Sequence, residues 1–525
     1  MAAAWDFIVV GGGHNGLSAA CTIAAAGKSV LVLEQRPILG GLANSHAFLP
    51  EAPGHILSIG AMDDLFMSST SLSSDLGLPA YGHRSKAPAA PYGWLGDDGE
   101  TLLLFRDFNR TLREIRRFSA QDARTYHDLR PTLDWLIDAQ NAVMVRHPGK
   151  LPKIALTKQL LKLAPSKAIR RNLGRMFSNN LVDFAAETFN SDALRSLIVY
   201  WGSMLGPVDF DGGGYFCVGL AAVHRTPGLM RPVGGMGSLI RAFEGRLLAS
   251  GGEVRVNTRV ARVLTGASGV DGVQLADGTQ LRARNGVLAS VPPQVAFTTL
   301  LDEGVLDPGT AAKVAMLPAS ANNVAFFKID MALSGRVEFT EANRRRQAID
   351  GFDVGSTSLM TGTFEDQIRQ LHAMRHGDSL DDLPIYLSIL SHHDPTLAPD
   401  GQDVLYICAD VAAQTHDGWS TSKKWYSEAI MRVASRHLTG LEYEIGRVET
   451  SPADFEAMFG TPNGNYFHVD MTPLRFGMNR PAPGLGGYRT PVRGYYLAAA
   501  GSHPGGGVSG WAGRLAAQTA LSDTM

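Results

Sequence analysis

The residues with the clearest chemical meaning lie near the start of the chain, where glycines recur at a fixed spacing. Gly11, Gly13 and Gly16 form a G-x-G-x-x-G pattern that follows an apolar segment and opens a helical one. The first glycine permits a tight turn, the second lets the backbone approach a pyrophosphate, and the third allows close helix–sheet packing. Free N–H groups at the helix start, at His14 and Asn15, attract phosphate oxygens. The pattern therefore predicts a dinucleotide site.

A carboxylate and a second pair of glycines extend this site along the chain. Glu34 ends the second predicted strand, where a carboxylate accepts hydrogen bonds from the ribose of an adenosine group and repels a 2′-phosphate. Gly40 and Gly41 follow shortly afterwards, and this extension resembles the flavoprotein form of the fingerprint, which favours FAD over NAD. The cofactor contacts expected here are Glu34, Gln35, Arg36, Gly40, Gly41, Leu42 and Ala43.

A second glycine cluster lies near the C-terminus, between a buried strand predicted at 495–500 and a helix predicted from about Ala512. Successive backbone N–H groups in such a loop suit the N1–C2=O edge of a flavin, which becomes negative on reduction. His503, within this loop, is a candidate catalytic or tuning group, or else a loop residue hydrogen-bonded to the backbone. The expected cofactor contacts of the loop are Gly501, Ser502, Gly506, Gly507 and Val508.

The C-terminal stretch 494–517 resembles the closing motif of the phytoene-desaturase-like (CrtI-type) FAD oxidoreductases, as do the motifs at 233–239, 464–468 and 488–491. The similarity is strongest to the subgroup of pyridine nucleotide-disulfide oxidoreductase domain-containing proteins. The resemblance implies an isoalloxazine at the C-terminal loop and an adenine contact at Val260. Many relatives carry an arginine directly after the Gly-Gly pair, whereas this chain has Leu42-Ala43.

The elements that must position these residues alternate between strands and helices. Buried strands at 6–10 and 29–33 flank a helix, which makes a βαβ unit. Short strands fill 253–291, and three more candidates within 323–411 precede an amphipathic helix at 423–438. The predicted fold class is α/β with an α+β insert, in which a Rossmann-type FAD-binding domain of the amine oxidase and phytoene desaturase superfamily carries a substrate domain with a mixed sheet and helices. The expected FAD-binding parts are 1–110, 226–300 and 451–525, and the inserts are a helical part, 111–225, and a sheet with a helix, 301–450.

The substrate side is predicted from a histidine and several aromatic residues. A flavin takes up a hydride at N5, so the protein has to hold a C–H bond over that atom and exclude water. His468 is a second catalytic candidate on this basis. The expected pocket walls are Tyr466, Phe467, Tyr200, Trp201 and Trp511, although aromatic residues at such positions also serve as core.

Composition excludes several classes of protein. The 525 residues carry a net charge of −2, with 45% hydrophobic and 19% charged residues, which excludes a disordered chain and a globally basic nucleic-acid binder. The cysteines Cys21, Cys217 and Cys408 form no CxxC motif, so a disulfide reductase is not expected. No metal site is expected at His392-His393, since adjacent histidines in a strand point to opposite faces. FAD is therefore expected as the tightly held cofactor, with oxygen, a quinone or another diffusible molecule as electron acceptor.

The stretch 139–182 contains no Asp or Glu but many Lys and Arg residues interleaved with apolar ones. Its basic amphipathic part, 146–177, predicts an interfacial membrane element or a partner-docking helix. The alternative is a solvated helix whose apolar face packs on its own domain. The N-terminus resembles no signal peptide, and a cytoplasmic location, with peripheral membrane contact through 146–177, is expected.

Together these features predict an FAD-dependent oxidoreductase that desaturates or dehydrogenates a largely apolar small molecule, isoprenoid-like, carotenoid-like or another secondary metabolite, by hydride transfer to flavin N5. One alternative is a flavin amine oxidase, which shares the fold and would need an aromatic cage and a lysine linked to N5 through water. The other is a flavoprotein-like scaffold that binds lipid or protein without turnover.

Overall fold

The computed structural model describes residues 4–151 and 164–524. Most strands within these residues belong to two seven-stranded sheets. In chain order the strands are β1 Ala4–Val10, β2 Val30–Leu33, β3 Ser45–His46, β4 Leu57–Ser58, β5 Ser85–Lys86, β6 Tyr92–Leu95, β7 Thr101–Leu104, β8 Arg231–Pro232, β9 Glu253–Arg255, β10 Val260–Gly266, β11 Gly269–Leu275, β12 Gln280–Ala289, β13 Val324–Leu333, β14 Ser358–Met360, β15 Ile385–Ile389, β16 Asp403–Ala412, β17 Glu444–Thr450 and β18 Tyr495–Leu497.

Helices connect the strands and predominate among the described residues between β7 and β8. The α-helices are His14–Ala25, Leu65–Ser68, Leu72–Asp75, Phe108–Phe118, Ala120–Met144, Lys167–Ser178, Leu181–Thr188, Asp192–Ser203, Gly219–Val223, Met236–Ala249, Pro293–Thr298, Pro308–Ala315, Thr340–Ile349, Phe364–Arg375, Leu390–His393, Trp419–His437, Pro452–Phe459 and Trp511–Ser522. Short 3-10 helices lie at Leu78–Tyr81, Pro148–Lys150, Gly213–Val218, Val354–Ser356, Pro395–Leu397, Leu441–Tyr443, Pro462–Gly464 and Gly477–Asn479. None of the helices in the described parts of the chain has the length and apolarity needed to span a bilayer.

The first sheet has the order β10-β11-β12-β1-β2-β9, and β18 pairs with β12. Strand β1 pairs in parallel with both β2 and β12, and the apolar runs of β1 and β2 are buried. This is the predicted βαβ unit, with helix His14–Ala25 as its crossover. Because parallel strands aligned in this way end at one edge, the turns after β1, β2 and β12 meet there.

Two helices from distant parts of the chain pack at this edge. Helix Trp511–Ser522 crosses helix His14–Ala25 so closely that a Cβ atom on Gly513 would lie 1.8 Å from the Asn15 carbonyl oxygen. The crossing therefore requires glycine at 513. It fixes the C-terminal loop against the first turn of the N-terminal helix.

The second sheet has the order β17-β13-β16-β15-β14-β6-β7. Its central pair, β13 and β16, is antiparallel along ten paired residues. One face packs against helix Trp419–His437, and the other turns toward the helices between β7 and β8. The functional cavity described below lies on that second face.

Several predicted boundaries differ from the structure. The strands predicted at 280–284 and 286–291 form one strand, β12. A Cβ on Gly286 would lie 2.5 Å from the Gly494 carbonyl oxygen, so glycine at this position allows the two backbones to approach closely. The strands β6 and β7, inside the predicted segment 1–110, pair in the second sheet rather than the first. His392 and His393 lie in a short helix, not a strand, so the argument from alternating faces does not apply to them.

Candidate functional site

A cavity of about 750 Å³ runs from the glycine turn after β1 to a chamber between the second sheet and helix Ala120–Met144. At the first end it is lined by backbone and small residues of the turns after β1, β2 and β12. At the other end it is lined by large side chains. The expected cofactor residues that line it are Gly11, Gly13, His14, Asn15, Glu34, Gln35, Arg36, Gly40, Gly41, Leu42, Ala43, Val260, Gly506, Gly507 and Val508.

The glycine turn leaves room for a dinucleotide and offers it unsatisfied polar groups. A Cβ atom on Gly13 would meet its nearest neighbour, the Gly40 carbonyl oxygen, only at 4.0 Å, so it would occupy the cavity. Asn15 Oδ1 and His14 Nε2 are buried without a hydrogen-bond partner among the described residues. Gly16 does not line the cavity, because it packs against the turn after β1, where a Cβ would lie 2.1 Å from the Gly11 carbonyl oxygen. This cradle fits the phosphates and adenosine of FAD.

Glu34 is held in place by two backbone hydrogen bonds. Its Oε2 accepts from the Gly12 N–H at 2.8 Å and its Oε1 accepts from the Arg36 N–H at 2.9 Å. Each carboxylate oxygen has a further lone pair, so the group can still accept from ribose hydroxyls. The Arg36 guanidinium lies 4.5 Å from the centre of the Phe459 ring, which positions it at the cavity wall.

Only part of the C-terminal glycine loop faces the cavity. A Cβ on Gly506 would lie 2.0 Å from Phe467 Cδ1, and Gly507 has a φ of +90°, so both positions require glycine. Gly501 and Ser502 do not line the cavity, contrary to expectation. Gly501 packs against Pro293, and Ser502 is buried in a turn in which its N–H donates to the Ala499 carbonyl oxygen at 2.9 Å.

The ring of His503 is anchored to backbone. Its Nε2 lies 3.2 Å from the Val143 carbonyl oxygen, and because a carbonyl can only accept, Nε2 carries the hydrogen. Burial lowers the pKa of His503 to about 4, so the ring is neutral near pH 7. The ring lines the cavity, and its Nδ1 has no hydrogen-bond partner among the described residues. This geometry favours the interpretation of His503 as a loop residue bonded to backbone.

His468 lines the cavity from a strained backbone position with a φ of +65°. Burial, together with the nearby Arg480 guanidinium, lowers its pKa to about 3. Arg480, which the sequence did not single out, is fully buried. Its guanidinium donates to the carbonyl oxygens of Phe467 and Ala500, both at 2.9 Å. Arg480 thereby ties the loop of His468 to the loop of His503.

The predicted pocket aromatics divide into two groups. Tyr466, Phe467 and Trp201 line the cavity as expected. Tyr200 does not, since it is buried behind the wall with its hydroxyl donating to the Cys408 carbonyl oxygen at 3.0 Å. Trp511 does not either, because it lies in the core of the first sheet, where its Nε1 donates to Thr70 Oγ1 at 2.9 Å. The last two are therefore core residues.

The chamber also contains a buried lysine that the sequence did not predict as a site residue. Lys328, on β13, donates from its ammonium to the Asp330 carboxylate and to the Ser58 carbonyl oxygen, and lies 3.7 Å from the centre of the Tyr406 ring. Burial lowers the pKa of Lys328 and raises that of Asp330 to about 6. The available signal was Lys328 near the end of the apolar strand predicted at 323–329, with Asp330 directly after it, since residues two apart in an extended strand share one face.

A second ion pair lies near this lysine. Asp63 lines the cavity, accepts from the Arg231 Nε–H at 2.9 Å, and accepts from the Tyr92 hydroxyl at 2.5 Å. Arg231 is buried and also donates to Ser358 Oγ at 2.7 Å. Away from these groups the chamber is largely apolar, with walls that include Leu136, Ile137, Val143, Met144, Phe177, Leu205, Phe216, Val218, Phe326 and Phe476.

The structure describes only part of the basic segment 146–177, and Lys153, Lys158 and Lys162 lie outside the described residues. In helix Lys167–Ser178 the apolar residues Ile169, Leu173 and Met176 are buried, while Arg170 and Arg171 are exposed. The apolar face of this helix thus packs on its own domain and leaves its basic face outward.

The three cysteines lie far from solvent in the part of the chain that is described. Cys21, Cys217 and Cys408 are unpaired and buried, and burial raises the pKa of each thiol. No group of three or more His, Cys, Asp or Glu residues in 4–151 and 164–524 is arranged to hold a metal ion.

Comparison with known proteins places this site in a family. The family model for flavin containing amine oxidoreductase matches residues 16–518. The pyridine nucleotide-disulfide oxidoreductase domain-containing protein 2 of Rattus norvegicus is 28% identical over 99% of this chain and 94% of its own length. The phytoene desaturase (neurosporene-forming) of Rhodobacter capsulatus is 24% identical over 95% of this chain and 90% of its own.

Among solved structures, a triple mutant of putrescine oxidase shares the fold, with a TM-score of 0.61 at 17% identity over 99% of each chain. The predicted α/β fold class, the resemblance to phytoene desaturases, the FAD cofactor and the oxidoreductase class are confirmed. The chain therefore belongs to the family of flavin-containing amine oxidoreductases.

Proposed function

We propose that this protein desaturates or dehydrogenates a largely apolar small molecule, such as an isoprenoid, a carotenoid or another secondary metabolite. The observation that supports this is the continuity of the dinucleotide cradle with a chamber whose walls are mostly apolar. A bound flavin supplies the hydride acceptor at N5. The electrons would then pass to oxygen, a quinone or another diffusible acceptor.

The residues of the chain have positioning roles in this proposal. The apolar walls orient the substrate and exclude water, which holds a C–H bond in a reactive geometry. His468 and His503, with pKa values of about 3 and about 4, take up no proton near neutral pH. We therefore propose that they are neutral residues of the cavity wall rather than acid–base catalysts.

The test is anaerobic mixing of the purified flavoprotein with carotenoids, isoprenoids, hydroxylated lipids and amines, followed by the loss of flavin absorbance. Bleaching by an apolar compound and not by amines is the expected result. Gly13→Val should abolish bound FAD, because its side chain would occupy the cradle. Gly174→Val is the matched control, since no heavy atom lies within 4 Å of a Cβ there. Bleaching by none of the compounds would contradict the proposal.

A flavin amine oxidase is the second candidate, and a specific observation favours it. Lys328 and the tyrosines Tyr386 and Tyr406 line the chamber, and a lysine with aromatic neighbours is what that alternative requires. The Lys328 ammonium, however, is already engaged by Asp330 and Ser58. Bleaching by amines, lost in Lys328→Met, would establish the second candidate over the first.

We also propose a cytoplasmic enzyme that contacts a membrane through 146–177. The exposed basic residues of helix Lys167–Ser178 support this, as does a neighbouring apolar loop. Leu474 in that loop is 82% exposed, and Met478 lies 3.9 Å from the position of a Cβ on Gly149. Phe476, between them, lines the cavity. An apolar substrate could therefore pass from lipid into the chamber along this loop.

A further inference from the structure

The chamber is polar on one side only. Asp63, Tyr92, Tyr386, Tyr406 and Lys328 line it from the strand side and the loop before helix Leu65–Ser68, and they lie close together. A wholly hydrocarbon substrate would desolvate the hydrogen-bonding capacity that these groups still have to spare and would give no hydrogen bond in return. The cluster therefore carries information about the substrate.

Asp63 has hydrogen-bonding capacity that the protein does not use. Its carboxylate accepts from Tyr92 and from Arg231, whereas a carboxylate has about four lone-pair sites. The side chain is 15% exposed, and it lines the cavity. A donor on a bound molecule could therefore reach it.

Tyr386 offers a donor beside this acceptor. Its hydroxyl donates to the Met62 sulfur at 3.7 Å, and a thioether is a weak acceptor. The rings of Tyr92 and Tyr386 lie 6.4 Å apart, centre to centre. A group that both donates and accepts would be bound by Asp63 and Tyr386 together.

The charges of the cluster balance without a ligand. Asp63 is paired with Arg231, and Lys328 is paired with Asp330. An ammonium or a carboxylate on the substrate would be buried without a compensating charge, which is unfavourable. A neutral group is therefore preferred.

We propose that the substrate carries a hydroxyl group on its apolar body, and that Asp63 and Tyr386 bind this hydroxyl. The inference rests on the proposed function, because it concerns the substrate of the same chamber. The hydroxyl donates to the free lone pairs of the Asp63 carboxylate and accepts from the Tyr386 hydroxyl. Arg231, itself held by Ser358, positions Asp63.

The test measures binding rather than turnover. Farnesol, farnesene, farnesylamine and farnesoic acid are titrated into the FAD-loaded protein under anaerobic conditions, and Kd is taken from the shift of the flavin absorbance spectrum. Farnesol should bind on the order of tenfold more tightly than farnesene, since one hydrogen bond to a charged group is gained. Equal binding of farnesol and farnesene, or tighter binding of the amine or the acid, would overturn the proposal.

Variants separate recognition of the hydroxyl from general packing. Asp63→Asn should remove most of the preference for farnesol and leave the Kd of farnesene unchanged. If Asp63→Asn does not fold, Tyr386→Phe provides the same test through loss of the donor. Tyr495→Phe is the control, because Tyr495 lies outside the cavity lining and its hydroxyl donates to the Ala296 carbonyl oxygen at 2.9 Å. An equal preference in wild type and Tyr386→Phe would refute the role of Tyr386.

The outcomes distinguish this inference from the proposed function. Preferential binding of farnesol without flavin reduction by any compound would leave the hydroxyl site intact and contradict the proposed reaction. Flavin reduction by farnesol and farnesene with equal Kd values would support the reaction and overturn the hydroxyl site.

Discussion

Replacing His503 by glutamine should make the folded protein less sensitive to acid. The His503 side chain is only 2% exposed, and burial holds its pKa at about 4 in the folded chain, against about 6.5 in an unfolded chain. The unfolded state therefore binds the proton in the range between these two values. Stability is fully present above about pH 6.5 and is lost progressively as the pH falls toward 4.

The size of the effect follows from the difference between the two pKa values. Lowering the pH from about 7.5 to about 5.5 should cost about 1.3 kcal/mol of unfolding free energy through this histidine alone. Other buried histidines, such as His14 and His468, contribute in the same direction. The absolute loss in the wild type is therefore larger, and only the difference between variant and wild type reports on His503.

The measurement is a urea titration followed by tryptophan fluorescence at both pH values. His503→Gln keeps a donor for the Val143 carbonyl oxygen and cannot be protonated, so its loss of stability should be smaller than that of the wild type by about 1.3 kcal/mol. His416→Gln, at an exposed position, is the control. An identical pH dependence in His503→Gln and wild type would refute the reasoning. A near-normal rate of flavin reduction per bound FAD is expected in the variant, whereas a slow rate would restore a catalytic or tuning role.

Three further changes test other parts of the structure. Gly513→Ala places a Cβ 1.8 Å from the Asn15 carbonyl oxygen, and we expect it to lower the free energy of unfolding by about 1–3 kcal/mol in a urea titration. It should also lower FAD occupancy, measured by flavin absorbance. A stable variant with full flavin absorbance would contradict the helix crossing. Asp330→Asn leaves the buried ammonium of Lys328 without a counter-charge and should lower the free energy of unfolding by about 3–5 kcal/mol in the same titration. An unchanged free energy of unfolding would mean that Lys328 is neutral. Arg170→Gln with Arg171→Gln should weaken the free energy of binding to anionic liposomes at low salt by about 1 kcal/mol per residue, measured by sedimentation. Wild-type protein that does not sediment with the liposomes would contradict the membrane contact.

The sequence predicted the local parts of the cofactor site because their signals are local. The glycines at 11, 13 and 16 lie within six consecutive residues, and their spacing after an apolar segment indicates a strand, a turn and a helix. Glu34 follows from the next strand of the same βαβ unit. Each of these residues depends on neighbours that are close in sequence.

The parts that the sequence did not predict depend on distant contacts. Gly501 packs on Pro293, and Gly506 faces Phe467, so the two glycines differ only through partners elsewhere in the chain. Trp511 and Trp201 are both buried tryptophans, yet only the second lines the cavity. Aromatic residues are equally suited to core and pocket, and only the tertiary fold distinguishes the two.

The sequence also did not predict the polar side of the chamber, because its residues come from distant parts of the chain. Lys328 and Asp330 lie on a strand whose pairing partners are far along the chain. Arg231 reaches Asp63 across 168 positions of sequence. Charges in an apolar strand indicate that something polar is buried, but their partners become known only from the sheet order.

The close crossing of the helices His14–Ala25 and Trp511–Ser522 has a consequence for biosynthesis. The first helix leaves the ribosome early, whereas the loop and helix that complete its surroundings are synthesised some 500 residues later, as the positions 14 and 511 show. Strand β18 joins the first sheet equally late. A nascent chain therefore exposes the edge of its first sheet during most of its synthesis, and FAD can be enclosed only after the segment 495–522 has emerged. Chains interrupted before this segment should remain without flavin and depend on chaperones.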